Sequence, residues 1–249
     1  MTNKINDWRT NTPGRRDIKT DFNSLMDHIA ESFIELAISY IEKKQSFFFL
    51  MGGGRTPKAI NARLVKMANR LDWSKITIFF CDERCVPPEH PDSNFGMINE
   101  TLIKPLEIPK QNVYRIAGEC IPERAAEKYE QQIRNFLGTE GFPEFDLALL
   151  GLGPDGHTAS LFPGKRPKLA DLNKLVIPAG KGPDGHERIT LTFPIINHSR
   201  NIWFMISGKE KRKVVKKLFF GCFNPFECPA QGIRPENGEL VYMMDRSVF

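Results

Sequence analysis

No apolar run in this 249-residue chain approaches the roughly 20 residues of a membrane span, so the sequence excludes a helical membrane protein. The N-terminal stretch MTNKINDWRTNTPGRRDIK lacks an apolar core and does not read as a signal peptide. Cysteine is sparse: five residues, at 81, 85, 120, 222 and 228, an odd number with no CxxC pair. That excludes a disulfide framework and leaves Cys81 with Cys85, or Cys222 with Cys228, short of a zinc knuckle, so no metal is expected. Free thiols point instead to the cytoplasm. Three nucleotide and hydrolase signatures are also missing: the GK[ST] ending of a Walker loop, GxGxxG and the GxSxG nucleophile elbow. Without linker, low-complexity tract or composition shift, one domain over 21–249 is expected, preceded by a loose lead-in over 1–20.

What is present is ordinary globular material with a mild positive excess. Hydrophobic residues make up 41% and charged residues 26%, with a net charge of +5, which suits an anionic small substrate and is explained equally well by scattered surface lysine. Phe22, Leu25, Met26, Ile29, Phe33, Leu36, Ala37, Tyr40 and Ile41 recur at helical spacing, so a first helix is expected there. Short apolar runs then alternate with helical segments. Strands are expected at 46–51, 76–81, 113–116, 145–150, 175–177, 188–192, 202–207 and 240–244, and helices at 58–70, after Ser93-Asn94, at 122–137 and at 209–220. Strands that are apolar throughout imply a mostly parallel α/β sheet covered on both faces.

The most informative segment is LALLGLGPDGHTASLFPG, residues 147–164. A buried strand stops at Gly151-Leu152-Gly153-Pro154 and delivers Asp155, Gly156, His157 and Thr158. Open α/β sheets bind ligands at such strand ends. An imidazole with a carboxylate two residues earlier can take a proton from water and return it to a leaving oxygen. Gly-Pro-Asp-Gly-His recurs at 182–186, but in a polar loop before a strand. It reads there as a chance Pro-Asp-Gly turn with His186 in solvent.

Two other strand ends carry candidate binding groups. Gly52-Gly53-Gly54-Arg55-Thr56-Pro57 joins a strand to a helix, where backbone N–H groups can cradle an anion and Arg55 and Thr56 add donors. Asp82-Glu83-Arg84 closes the next strand, so it is expected on the same sheet edge. There Arg84 would form a forked contact to an anionic oxygen, or the triplet would be an internal cluster that steadies Val86–Asn94. The basic run Lys209–Lys213 is interleaved with Val214, Val215, Leu218 and Phe219, which makes it a helix with a solvated basic face and argues against nucleic-acid binding.

Several blocks together resemble the 6-phosphogluconolactonase family: GGGRTP (52–57), CDERCVPPEHPDSNFGM (81–97), LLGLGPDGHTASLFPG (149–164), ERITLTFPIIN (187–197) with SGKEK (207–211), and RPENGEL (234–240). The resemblance implies a Rossmann-like three-layer αβα sandwich with a mostly parallel sheet, a fold shared with glucosamine-6-phosphate deaminases and ribose-5-phosphate isomerases. It implies hydrolysis of 6-phospho-D-glucono-1,5-lactone, with no metal or cofactor, by a monomer or weak homo-oligomer acting on a small sugar phosphate. His157 would be the general base, Asp155 its orienting partner, and Arg84 a contact to phosphate or oxyanion. Gly53, Gly54, Arg55, Thr56, Arg188 and Lys211 would hold the phosphate, with Asn94 beside them. This chain departs from the family at Gly52, often a serine, and in the loop KGPDGHE before Arg188. A deaminase would carry Phe-Asn-Glu-Pro after the histidine, whereas 158–164 here reads Thr-Ala-Ser-Leu-Phe-Pro-Gly.

Overall fold

Four segments without a polar face become the inner strands of one sheet. β2 (Phe47–Met51), β3 (Ile76–Phe80), β6 (Leu147–Gly151) and β9 (Asn201–Ile206) are almost wholly buried, as parallel strands covered on both faces must be. In the computed structural model, which describes residues 12–138, 142–165 and 173–249, they join β1 (Arg15–Lys19), β5 (Val113–Tyr114) and β10 (Glu239–Asp245). The sheet has seven strands in the order β1-β10-β9-β6-β2-β3-β5, and every pairing is parallel. The expected α/β sandwich is therefore present.

Side-chain alternation on β2 shows how the layers are built. Phe47 and Phe49 meet Phe33 of α1 (Phe22–Lys44), with ring centroids 5.6 and 5.0 Å apart. Phe48, on the opposite face, meets Phe136 of α4 (Pro122–Leu137) at 5.2 Å. One strand thus anchors a helix on each side. Asp21 caps α1 by accepting from the Ser24 N–H, and Gln45 ends it in the left-handed region at φ 62°. Asp146, buried at the foot of β6, accepts from the Phe48 N–H at 2.8 Å and pairs with Lys44 at 2.8 Å, tying α1, β2 and β6 together.

Two expectations need correction. Residues 15–19 are not a loose lead-in but the edge strand β1, which pairs with β10 from Arg15↔Val241 to Lys19↔Asp245. A polar segment can occupy this place because an edge strand is hydrogen-bonded on one side only. Residues 1–11 of the expected lead-in lie outside the described residues. Second, Asp82-Glu83-Arg84 does not end on the parallel sheet. It forms β4 (Asp82–Arg84) of a separate three-stranded antiparallel sheet, β4-β8-β7, with β8 (Glu187–Leu191) in the middle and β7 (Val176–Lys181) outside. The chain leaves the parallel sheet after Phe80, and the buried Asp82 and Glu83 carboxylates are held by hydrogen bonds from Ser160, Ser93 and backbone N–H groups.

The strand order reverses between β2 and β6, since one half of the sheet grows outward through β3 and β5 and the other through β9, β10 and β1. At that switch point the loops after neighbouring strands splay apart and leave a crevice at their carboxyl ends. The small antiparallel sheet brings β4 and the β7–β8 turn to the same crevice. No helix among the described residues is long and apolar enough to cross a membrane.

Candidate active site

The crevice is a cavity of about 700 Å³. The loop after β2 contributes Gly52–Pro57, and the loop after β6 contributes Gly153, Pro154, His157, Ser160 and Phe162. Ser207, Gly208, Glu210 and Lys211 follow β9, while Asp82, Arg84, Asn94, Asp184 and Arg188 complete the wall. Apart from Asp155, every residue expected at the site lines this one cavity.

Asp155 stands behind His157 rather than in the wall. Its Oδ1 lies 2.6 Å from His157 Nδ1 and also accepts from the His157 backbone N–H at 3.1 Å. Burial alone would raise the Asp155 carboxyl, but hydrogen bonding to His157 and its charge outweigh that and hold it below the usual carboxylate value. An ionised carboxylate can only accept, so the proton between them sits on Nδ1, and in the neutral form of the ring the lone pair is on Nε2. Phe162 packs beside the imidazole at 5.1 Å between centroids. Gly153 makes the arrangement possible: a Cβ there would lie 2.1 Å from His157 Nδ1 and 2.7 Å from Asp155 Oδ1.

The glycine loop opens α2 (Arg55–Lys66). Gly54 precedes the helix at φ 114°, where a side chain would be strained, and no side chain caps the first turn. Its free N–H groups are therefore available to an anion. Thr56 lines the cavity, but Arg55 lies at its rim, 96% exposed and 3.6 Å from Glu210, so it adds field more than contact. Lys211 sits across the opening in the turn after β9. Burial lowers its ammonium below the usual lysine value, Glu210 pulls it back up, and Arg55 adds to the lowering. A half-buried ammonium beside another cation favours a ligand that brings negative charge.

Glu83 explains how Arg84 and Asn94 are placed. Its carboxylate accepts from the backbone N–H groups of Arg84, Asn94 and Phe95 at 2.8, 2.7 and 2.8 Å, and from Ser93 Oγ at 3.1 Å. Burial raises the Glu83 carboxyl despite these bonds. It pins β4 to the start of α3 (Asn94–Ile98), so within the charged triplet the internal-cluster reading holds for Glu83, while Arg84 reaches the cavity. Asn94 donates to the Asp82 carbonyl at 3.0 Å, and its Oδ1 abuts Gly53, where a Cβ would come within 1.8 Å. Asn94 thus shapes the glycine loop.

Two parts of the site escaped the sequence reading. Asp82 is buried on the cavity wall and accepts from Ser160 Oγ at 2.6 Å. The second Gly-Pro-Asp-Gly-His forms the expected tight turn, but at the cavity and with His186 half-buried instead of in solvent. Gly182 donates to the His186 carbonyl at 2.8 Å and Gly185 to Gly182 at 3.0 Å, matching Gly153 to His157 at 2.8 Å and Gly156 to Gly153 at 3.0 Å. Both copies make the same turn and both border the cavity. His186 is half-buried, with Nε2 3.1 Å from Asp92 Oδ2, and Asp184 pairs with the buried Arg188. Although burial would raise the Asp184 carboxyl, Arg188, the His186 N–H and the charge of Arg84 hold it low. The repetition itself was the available signal. Only the pairing of β8 with β4, across a long stretch of chain, carries the second turn to the first.

Comparison with known proteins agrees with this geometry. Residues 20–242 match the family model for glucosamine-6-phosphate isomerases/6-phosphogluconolactonase. The 6-phosphogluconolactonase of a Synechocystis strain is 39% identical over 199 residues, 79% of this chain and 80% of the relative. That of Rattus norvegicus is 32% identical over 240 residues, 94% and 92% of the two chains. The solved 6-phosphogluconolactonase of Thermotoga maritima superimposes with a TM-score of 0.80 at 32% identity, covering 94% of this chain and 100% of that one. The chain belongs to the glucosamine-6-phosphate isomerase/6-phosphogluconolactonase family.

Proposed function

We propose that this protein hydrolyses 6-phospho-D-glucono-1,5-lactone to 6-phospho-D-gluconate in the oxidative pentose phosphate pathway, with His157 as general base. The observation that carries the reading is the Asp155–His157 pair at 2.6 Å, on a cavity whose other walls hold Arg84, Arg188 and Lys211. Relatives named 6-phosphogluconolactonase supply the substrate class. The segment after His157 contains no glutamate, which disfavours ring-opening deaminase chemistry.

In this reading, His157 Nε2 takes a proton from water as the water oxygen attacks C1 of the lactone. The carbonyl oxygen becomes an oxyanion that the guanidinium-lined wall stabilises. Its collapse breaks the C1–O5 bond, and the imidazolium returns its proton to O5, which leaves as a hydroxyl. The new carboxylic acid loses its proton to solvent. Asp155 keeps the imidazole in the required tautomer and stabilises its protonated form. The Gly53-Gly54 cradle, Thr56, Arg188 and Lys211 hold the phosphate, Arg55 adds attraction at the rim, and Asn94 keeps the glycine loop in shape.

The test is to generate the lactone in situ with glucose-6-phosphate dehydrogenase and follow its disappearance with and without the protein. Acceleration that His157→Ala abolishes supports the reading, and no acceleration by the wild-type protein overturns it.

A further inference from the structure

The register of the small antiparallel sheet sets two guanidinium groups side by side. Arg84 of β4 pairs directly with Arg188 of β8, and like charges at such positions repel. Both side chains line the cavity, and in both the Nε is buried without a hydrogen-bond partner. Two adjacent guanidinium groups with spare donors form a receptor for an anion.

In the free protein that anion comes from the chain itself. Asp184 Oδ2 accepts from Arg188 Nη2, and the same carboxyl feels the charge of Arg84. The β7–β8 turn carries it there. Gly182 lets the turn close on the guanidinium, since a Cβ at this position would come within 2.8 Å of Arg188 Nε and 3.1 Å of Nη2. Within the pair the arginine side chain is 6% exposed and the aspartate 40% exposed. The cation is fixed in the wall, whereas its carboxylate partner has water to turn into.

We propose that Asp184 is an internal competitor for the anion subsite, occupying Arg188 in the free protein and yielding it to the phosphoryl group of the ligand. The inference rests on the reading of Arg188 as a phosphate-binding residue. A phosphoryl group brings nearly two charges and three acceptor oxygens, enough to engage donors that a single carboxylate leaves unused. A monoanionic sugar acid gains much less by the exchange. The aspartate therefore lowers the apparent affinity of every anion at this subsite by the same factor, and a phosphoryl group is held strongly enough to meet that penalty.

The opposite role would be positioning, with Asp184 holding Arg188 ready for phosphate, and the two roles predict opposite signs. Inorganic phosphate is titrated calorimetrically into the full-length wild type, Asp184→Ala, Asp184→Asn and Arg188→Ala. If Asp184 occupies the guanidinium about nine-tenths of the time, its removal tightens phosphate binding about tenfold. KM for the lactone falls in parallel. The asparagine variant keeps the turn's side-chain contact to the His186 N–H and covers the case in which alanine loosens the fold. Unchanged or weaker phosphate binding in a folded Asp184 variant, with Arg188→Ala still losing affinity, overturns this inference alone. Unchanged binding in Arg188→Ala overturns the phosphate assignment itself and the inference with it.

Discussion

Replacing Gly153 by alanine tests the role of His157 without removing a single ionisable group. The added Cβ would stand 2.1 Å from His157 Nδ1, 2.2 Å from Cε1 and 2.7 Å from Asp155 Oδ1, whereas ordinary contact begins at 3.4 Å. The ring must retreat by about 1.3 Å, and its 2.6 Å link to Asp155 cannot survive that movement. A misplacement of about 1 Å costs roughly 10²-fold in rate, or about 2.7 kcal/mol of barrier. Stability responds much less. Gly153 is not among the positive-φ glycines, so alanine is allowed by the backbone, and the overpacking costs about 1–3 kcal/mol. At roughly 2–4 °C per kcal/mol for a chain of this size, Tm drops by no more than about 12 °C. The expected result is kcat lowered about a hundredfold in a protein still folded at the assay temperature, measured by lactone disappearance alongside a thermal melt. Asp155→Asn lowers kcat in the same direction, and the two losses do not add, because both act on one imidazole. A folded Gly153→Ala protein with kcat within about twofold of wild type would refute the assignment of His157 as base.

Other outcomes follow from the same geometry. His157→Ala abolishes most turnover while leaving the affinity for 6-phosphogluconate, measured calorimetrically, close to wild type. Equal loss of both would make the histidine structural. Arg188→Ala and Lys211→Ala mainly raise KM, since each removes a contact made before and during the reaction. Because burial lowers the Lys211 pKa, its charge is lost at lower pH than an ordinary lysine's, so 6-phosphogluconate binding weakens early on the alkaline side. Lys211→Arg, always charged, removes that early weakening, and titrations across the alkaline range measure it. Asp146→Ala strips the Phe48 N–H and Lys44 of their acceptor and costs about 2–3 kcal/mol, lowering Tm by about 4–12 °C in a thermal melt.

Much of this architecture is legible in the chain because its signals are local. The runs at 47–51, 76–80 and 147–150 are apolar on both faces, which only a covered parallel strand accommodates, and they do form β2, β3 and β6. Pro122 in the first turn marks the start of α4, and the helical stripe from Phe22 becomes α1. Asp155 is two residues from His157, so their contact needs no tertiary information. Arg15–Lys19 was not legible as a strand: its polarity is that of a loop, and only the free edge of β10 gives it a partner. The charged triplet Asp82–Arg84 was misplaced for a related reason. The end of an apolar run is visible, but which sheet the chain enters next is not.

The sequence alone determined the chemistry on offer: an imidazole with its carboxylate after one strand, an uncapped glycine-rich helix start after another, and basic residues near further strand ends. Those groups lie close to their own neighbours in the chain, so short-range rules of turn, cap and periodicity suffice to place them locally. The tertiary structure decided which of them meet. The switch point between β2 and β6 brings the loops at 52–57 and 151–157 together, and the β4–β8 register sets Arg84 beside Arg188, whose guanidinium pairs with Asp184. Such pairings are set by strand order and register, which arise from burying apolar faces far apart in the chain, and no local pattern encodes them.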